Sequence, residues 1–300
     1  MAVVNKIELA QLYKAIVDKA FMQSSLTAPL EVEKRYIQDT DQAEVVKIME
    51  RTLQGLGDYS RSTGFKQGTI EAKWVPYTIR FDRGRTFSLD VMDDWESLSV
   101  IGGSMLADLV AEYVVPEIDA LRFATMADRA GLDDASALSS SNIVEKIRNA
   151  ERKLNDAKVP KDGRILYLST EAAEMLDTAT GVNLRRTLTP AQSIDTRVMD
   201  LNGMPIIEVS SDLFYDKFDT LNGVDDEEEG GVIPSPDAKP LNFLIVYKGS
   251  VNTITRHTAS RIFFPNENQQ LDATRVDYRI YHDLIVPNNK RKGVFVHKKA

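Results

Sequence analysis

Apolar residues recur at Leu106, Leu109, Val110, Tyr113, Val114, Ile118 and Leu121. This is the i, i+3, i+4, i+7 spacing of a helix with one buried face. The run extends from Met105 to Ala130 and is the longest continuous helical pattern in the chain. Asp108, Glu112, Asp119 and Arg122 fall on the opposite side, where solvent is expected. Ser104 is placed to cap the start of the helix and Gly131 to end it. At 1.5 Å rise per residue such a helix is about 40 Å long. Pro116 interrupts the backbone hydrogen bonding mid-run, so a kink or short break is expected there.

Upstream, residues 5–21 form a first amphipathic pattern, with Leu9, Leu12, Tyr13, Ile16, Val17 and Ala20 as its stripe. Residues 22–40 lose the pattern and read as an extended arm broken by Pro29. Val45 to Leu56 resumes helical spacing and ends in a glycine-rich turn. Then the period changes to two. Thr78-Ile79-Arg80-Phe81 and Thr86-Phe87-Ser88-Leu89 flank Asp82-Arg83-Gly84-Arg85, which reads as a turn. The predicted hairpin carries Ile79, Phe81, Phe87 and Leu89 on one face, and Ile70, Trp74 and Val75 precede it before Pro76. A two-stranded hairpin is not stable alone in water. Its apolar face therefore packs on its own domain or on a neighbouring subunit, and the residues leave both open.

Downstream, Asn142 and Glu145 have capping-box spacing ahead of a helix with Ile143, Ile147, Ala150 and Leu154 on its face. Arg164–Leu168 and Asn242–Tyr247 read as buried strands and Thr170–Leu176 as a short helix. Another strand, Pro205–Val209, follows the Asn202-Gly203 turn. Interleaved strands and helices predict an α+β unit over roughly residues 132–245. The run Asp225-Asp226-Glu227-Glu228-Glu229 reads as a solvated loop, because it lacks the spaced ligands and fixed glycine of a calcium-binding loop. The last third alternates again, at Val251–Arg256, Arg275–Tyr281 and Asp283–Val286, and closes on a strand at Gly293–His297. These strands are expected to pair with one another and to pack on the long helix.

Composition narrows the class. The chain has 300 residues, 43% hydrophobic and 27% charged, which fits a globular protein of one large domain or two modest ones. It holds no run of eighteen apolar residues and no signal-peptide layout, so no membrane association is expected. Cysteine is absent, which removes disulfides, thiolate metal sites and thiol nucleophiles. The formal charge of −8 argues against a protein that coats nucleic acid through a broad basic surface. It does not exclude a protein that surrounds nucleic acid without gripping it. Phosphate-binding loops, zinc-helix motifs and nucleophile elbows are missing. His257, His282 and His297 lack metal-ligand spacing, and the adjacent pairs Asp93-Asp94 and Asp133-Asp134 are poor acid–base couples in extended chain. The expectation is a non-enzyme with no catalytic residue, no cofactor and no metal site.

The order of these parts resembles the major capsid proteins of tailed bacteriophages, with the Hong Kong ninety-seven-like fold. Asp82-Arg83-Gly84-Arg85 followed by Thr86–Asp93 is similar to the extended-loop sequence of capsid proteins from phages and prophages of low-GC Gram-positive bacteria. Val115-Pro116-Glu117-Ile118-Asp119-Ala120 with Arg122-Phe123 resembles their spine helix. Tyr278–Asp283 with Lys290–Gly293 resembles their last peripheral-domain strands. The match spans nearly the whole chain, and its specificity comes from the order of short motifs.

The resemblance implies an α+β capsid fold with four parts. These are an N-terminal helix and arm over 1–57, an extended hairpin loop over 58–95, a peripheral domain with the spine helix over 96–131 and 246–300, and an axial domain over 132–245. It implies self-assembly into pentamers and hexamers of an icosahedral shell around double-stranded DNA, in the virion, after assembly in the bacterial cytoplasm. A portal protein and a separate scaffolding protein are implied partners. No room remains for an internal scaffolding segment before the loop, and Met1 favours a separate scaffold over a trimmed chain. Intersubunit contacts are expected from Trp74, Phe81, Arg83, Gly84, Arg85 and Phe87, and a spine-helix kink at Pro116. Isopeptide crosslinking, known in some members, is not carried over: Lys66 and Lys73 lie in the loop, but no asparagine or glutamate partner is identifiable. Two alternatives stay open, an encapsulin-type nanocompartment shell, which shares the fold, and an α+β enzyme without a recognisable motif.

Overall fold

The computed structural model describes residues 25–31, 37–39, 44–90, 108–179, 200–224, 230–263 and 272–300. The expected N-terminal helix at 5–21, the Ser104 cap, the Asp93-Asp94 pair and the acidic run 225–229 lie outside the described residues.

Fourteen strands and three α-helices follow one another in the described chain. The strands are β1 (Ile37–Asp39), β2 (Val45–Leu53), β3 (Ile70–Thr78), β4 (Phe81–Asp90), β5 (Leu132–Asp134), β6 (Arg164–Ser169) and β7 (Asp200–Leu201). They continue with β8 (Met204–Val209), β9 (Phe218–Leu221), β10 (Gly231–Pro234), β11 (Leu241–Tyr247), β12 (Asn252–Phe263), β13 (Ala273–Ile285) and β14 (Val294–Lys298). The α-helices are α1 (Val115–Asp128), α2 (Ile143–Asp156) and α3 (Thr170–Asp177). Among the described residues no helix is long and apolar enough to cross a membrane.

A six-stranded sheet in the order β5-β14-β11-β6-β8-β7 carries most of the core. Its central strands are continuous apolar runs because both faces are covered. On one face α2 and α3 bring Ile143, Ile147, Ala150, Leu154, Ala172 and Leu176 against Leu166, Leu168, Phe243, Ile245 and Phe295. On the other, Phe123, Met126 and Ala127 of α1 pack with Ile165, Tyr167, Leu244, Val246, Val294 and Val296. The N-terminal half of the same helix leaves this sheet. Val115 and Ile118 pack instead on Val276, Tyr278 and Ile280 of the three-stranded sheet β12-β13-β4. One helix thus belongs to two cores.

Several expectations are corrected here. Val45–Leu53 is a strand and not a helix: Val46 and Ile48 alternate inward and β2 pairs with β3 from Val45↔Thr78 to Leu53↔Ile70. Valine and isoleucine two apart fit a pleat as well as they fit a helix stripe, and long-range pairing decides. The hairpin is therefore β2–β3, joined by residues 54–69. Asp82-Arg83-Gly84-Arg85 is not a turn. It lies within β4, which pairs with β13 over ten positions, from Phe81↔His282 to Asp90↔Ala273. Gly84 is needed for close approach, since a Cβ there would stand 2.8 Å from the Tyr278 carbonyl oxygen. Gly131 is no left-handed helix stop either. Its amide donates to the Arg291 carbonyl at 2.8 Å, and a Cβ would fall 2.6 Å from the Arg291 carbonyl carbon.

Pro116 sits in the first turn of α1, and the irregularity lies just before it. Val110–Val114 form a π-helical turn in which the Val115 amide donates to the Val110 carbonyl. The wider turn relieves the clash that a proline ring makes with the carbonyl four residues back. Asn142 does not close a capping box; its Oδ1 accepts from the Ser139 amide at 2.8 Å and no side chain caps α2. The last strand, expected beside β12 and β13, instead lies between β5 and β11 in the six-stranded sheet.

Candidate functional site

The polar residues of α1, expected in solvent, are where the chain is tied together. Asp119 is 1% exposed. Its carboxylate accepts from Ser25 Oγ at 2.9 Å, the Leu26 amide at 2.8 Å, the Thr27 amide at 3.3 Å and Thr27 Oγ1 at 2.5 Å. Arg122, equally buried, donates to Thr27 Oγ1 at 2.7 Å and to Glu31 at 3.3 Å. The segment 25–31 thus lies across the helix, and Leu30 fills a fully buried place beside Phe123. Burial pushes the Asp119 carboxyl up, opposed by its hydrogen bonds to Thr27, Leu26 and Ser25 and by Arg122. The sequence signal was available: two charges three residues apart inside the small and apolar run Ile118–Ala127.

Two residues before Asp119, on the other side of the helix, Glu117 takes Arg83 at 2.5 Å. Arg83 also donates to the Leu221 carbonyl at 2.7 Å and the Gly231 carbonyl at 3.0 Å, joining the β9–β10 hairpin to the helix. One turn after Arg122, Thr125 Oγ1 accepts from Arg80 at 2.9 Å. Arg80 grips the buried carboxylate of Asp283 through Nε at 3.0 Å and Nη2 at 2.9 Å. That paired fork, together with the Arg80 amide donating to Asp283 at 3.2 Å, fixes the link between β3 and β4 at the root of the hairpin.

The hairpin has two unlike faces. One buries Val46 and Ile48 at its root with Ile79, Ile254 and Ile285. Farther out that face turns polar, with Glu50 opposite Lys73 and Thr52 opposite Glu71. Tyr77 donates to Glu50 at 2.6 Å, and burial together with this carboxylate pushes its hydroxyl up to about 12. The opposite face carries Met49, Leu53, Ile70, Ala72 and Trp74, which alternate with the first set. Ile70 is 72% exposed and Trp74 39%. Beyond them the Tyr59 and Phe65 rings meet at a tilt with centroids 4.8 Å apart, with Phe65 88% exposed. Among the described residues most of the exposed large apolar side chains lie on this hairpin.

The six residues proposed from sequence divide. Trp74 lies on the exposed face of β3. Phe81, Arg83, Arg85 and Phe87 alternate along β4 on the side that faces α1; they are part of the subunit's own packing or within reach of it. Phe81 stacks on His282 at 5.7 Å, and Arg85 lies against Gly223 and Gly230 at the base of the acidic run. Gly84 is on the other side of the strand. Leu53 was missed because β2 read as a helix, and Ile70, named in the run before Pro76, was not counted among the contact residues. Among the described residues no group of three metal-ligating side chains comes together. His282 and His297 are buried and His257 is exposed at the outer strand β12.

A helix shared by two cores, a long three-stranded sheet beside it and a hairpin with an exposed apolar face define the architecture. No family model matches the sequence, and no curated protein matches it. Solved structures do. The head structure of Helicobacter pylori bacteriophage KHP40 superimposes with a TM-score of 0.60 at 13% identity, over 92% of this chain and 91% of that one. The capsid structure of cyanophage P-SCSP1u gives 0.60 at 13% identity, over 88% and 85%. A virus-like particle from Pyrococcus furiosus gives 0.51 at 10% identity, over 97% and 99%. The chain has the fold of phage capsid proteins.

Proposed function

We propose that this chain is the structural subunit of an icosahedral phage head, assembling with copies of itself into pentamers and hexamers around double-stranded DNA. The observation that carries the reading is the uncovered apolar face of the β2–β3 hairpin on a chain with the phage-capsid fold. Leu53, Ile70, Ala72 and Trp74 are exposed there, and Met49 beside them is half-buried, within the described chain. A neighbouring copy supplies the missing surface, and modest contacts repeated many times hold a shell together. The reading assigns no reaction to the chain. Its place is the virion, with a separate scaffolding protein and a portal as partners. The resemblance to capsid proteins of phages from low-GC Gram-positive bacteria belongs to the same proposal.

In this reading the extended loop is the hairpin 45–78. The peripheral part comprises α1, β4, β12 and β13. The axial part comprises the six-stranded sheet with α2 and α3, including β14. The test is to express the full chain with and without its scaffold, then measure size by light scattering and negative-stain microscopy. Closed shells, tubes or capsomer rings are expected, and Leu53→Ser with Ile70→Ser should abolish them while the circular dichroism stays unchanged. Enclosed DNA supports a phage head, and enclosed protein cargo would move the reading to a nanocompartment. A monomer that persists with scaffold present refutes both.

A further inference from the structure

The last seventeen residues, 284–300, hold five Lys or Arg and no Asp or Glu, on a chain of formal charge −8. The preceding 283 residues therefore carry −13 (−8 less +5). The structure sorts the five cations into two groups. Lys298 pairs with Asp216 at 2.7 Å and Lys299 with Glu171 at 2.7 Å. Lys290, Arg291 and Lys292 sit together on the 3₁₀ turn Asn288–Gly293, and among the described residues none of them has a carboxylate within ion-pair distance. Lys290 Nζ donates to the Gly249 carbonyl at 2.8 Å and Arg291 Nε to the Arg129 carbonyl at 3.2 Å. Carbonyls orient these cations without neutralising them.

The turn is also tied to its neighbours. Its Lys290 amide returns to the Pro287 carbonyl at 2.9 Å, and the Arg291 carbonyl accepts from Gly131 at 2.8 Å. Gly293 is buried hard against Ser250. Three uncompensated cations are thus displayed on a fixed backbone, which lowers the ordering cost of meeting an anion. The surroundings identify the anion's class. None of the exposed large apolar side chains among the described residues lies on this turn or on its neighbours Arg129–Gly131 and Lys248–Ser250. A protein interface has an apolar centre. A surface of three cations with no such centre, and with the Glu50 carboxylate held at its edge by the Asn288 amide at 3.2 Å, suits phosphate groups, which are met by charge and without base recognition.

We infer that the Lys290-Arg291-Lys292 turn is a contact point for the phosphate backbone of DNA, a local exception on an otherwise repelling wall. The choice of DNA among polyphosphates rests on the shell reading. The experiment is fluorescence anisotropy of a labelled 30-base-pair duplex with the full, unassembled chain from 50 to 300 mM NaCl. Sequence-independent binding is expected, with log K falling against log salt at a slope of about −3, since each phosphate contact contributes about −0.9. Lys290→Ala with Arg291→Ala and Lys292→Ala should weaken binding at least tenfold at 50 mM and flatten the slope. Lys290→Ala with Lys292→Ala keeps the Arg291 contact to Arg129, guards against a folding defect and should remove about two-thirds of the slope.

Lys298→Ala with Lys299→Ala removes paired cations and should change little. Equal loss from both pairs overturns the proposal, because bulk charge would then explain it. Absence of binding at 50 mM overturns it as well. Competition by poly-glutamate as strong as by DNA at equal charge overturns it in favour of an acidic protein partner. Binding is read on subunits and shells by microscopy, so shells without turn-dependent binding refute this inference alone. Binding without shells refutes the shell reading alone.

Discussion

Replacing Asp119 tests whether the segment 25–31 is an integral part of the subunit. The carboxylate receives four hydrogen bonds from that segment while 1% exposed, and Thr27 Oγ1 relays between it and Arg122. Asp119→Ala leaves the Leu26 and Thr27 amides without their acceptor, strips two hydroxyls of the carboxylate they donate to, and leaves Glu31 at 3.3 Å as the carboxylate paired with the buried Arg122 guanidinium. Hydrogen bonds to a charged group each contribute about 1.5–3 kcal/mol net, but they share one acceptor and do not add. Breaking a buried charged network from one side costs about 3–5 kcal/mol, and that is the expected loss. Against a total stability of about 5–15 kcal/mol the variant should still fold. Asp119→Asn keeps the shape and one acceptor oxygen and should lose about 1–3 kcal/mol.

Urea unfolding gives both values. Hydrogen exchange locates them, because the Leu26 and Thr27 amides should lose protection in Asp119→Ala ahead of the α1 amides. A loss under about 1 kcal/mol with unchanged protection at Leu26 and Thr27 would show that the segment is held by Leu30 and its apolar neighbours, and that the carboxylate merely fills space.

Phe81→Ser and Phe87→Ser should each cost about 2–4 kcal/mol of subunit stability, because both side chains lie on the face of β4 toward α1; variants with wild-type unfolding midpoints and an assembly defect alone would refute this placement. Gly131→Ala puts a Cβ 2.6 Å from the Arg291 carbonyl carbon and should cost about 1–3 kcal/mol through displacement of the basic turn; an unchanged Tm contradicts it. His282 is held at about 3 against its ordinary 6.5, chiefly by burial and further by Arg122 and Arg83. Below pH 6.5 the unfolded chain therefore binds a proton that the folded chain refuses, and stability falls as pH falls toward 3. At pH 5 the loss is about 2 kcal/mol, at 1.36 kcal/mol per pH unit. His282→Phe should remove that slope, and a wild-type stability flat between pH 7 and 5 would show that His282 gains a partner or a proton on folding.

What the sequence made legible was whatever one element's own periodicity determines. The stripe through Val110, Ile118 and Leu121 placed the long helix, and the apolar runs Ile165–Leu168 and Phe243–Tyr247 placed the two central strands expected at 164–168 and 242–247. Where two periods fit the same residues, contacts distant in sequence chose between them. Val45–Leu53 accepts either a helix or a pleat, and the chain from Ile70 onward decides it. Asp82-Arg83-Gly84-Arg85 satisfies the local chemistry of a turn, yet β13, some 200 residues later, extends a strand through it. Asp119 and Arg122 were read as solvated because a charge on a helix usually is. The residues that cover them lie more than 90 positions away.

The polar side chains of α1, spread around the helix, explain why these misreadings cluster. Glu117 holds Arg83 and through it the β9–β10 hairpin; Asp119 and Arg122 hold the segment 25–31; Thr125 holds Arg80 and with it the root of the β2–β3 hairpin. Each tie is a buried or half-buried directional contact between segments far apart in sequence. Apolar packing alone would tolerate a slip of these segments along the helix, because it has no preferred direction. A carboxylate with four donors and a guanidinium with fixed forks do not tolerate it. Such groups contribute little net stability relative to apolar replacements of the same shape, so their use here is best understood as fixing position. In the proposed shell, a subunit whose hairpin must meet identical neighbours at many places would need that fixed geometry more than extra stability.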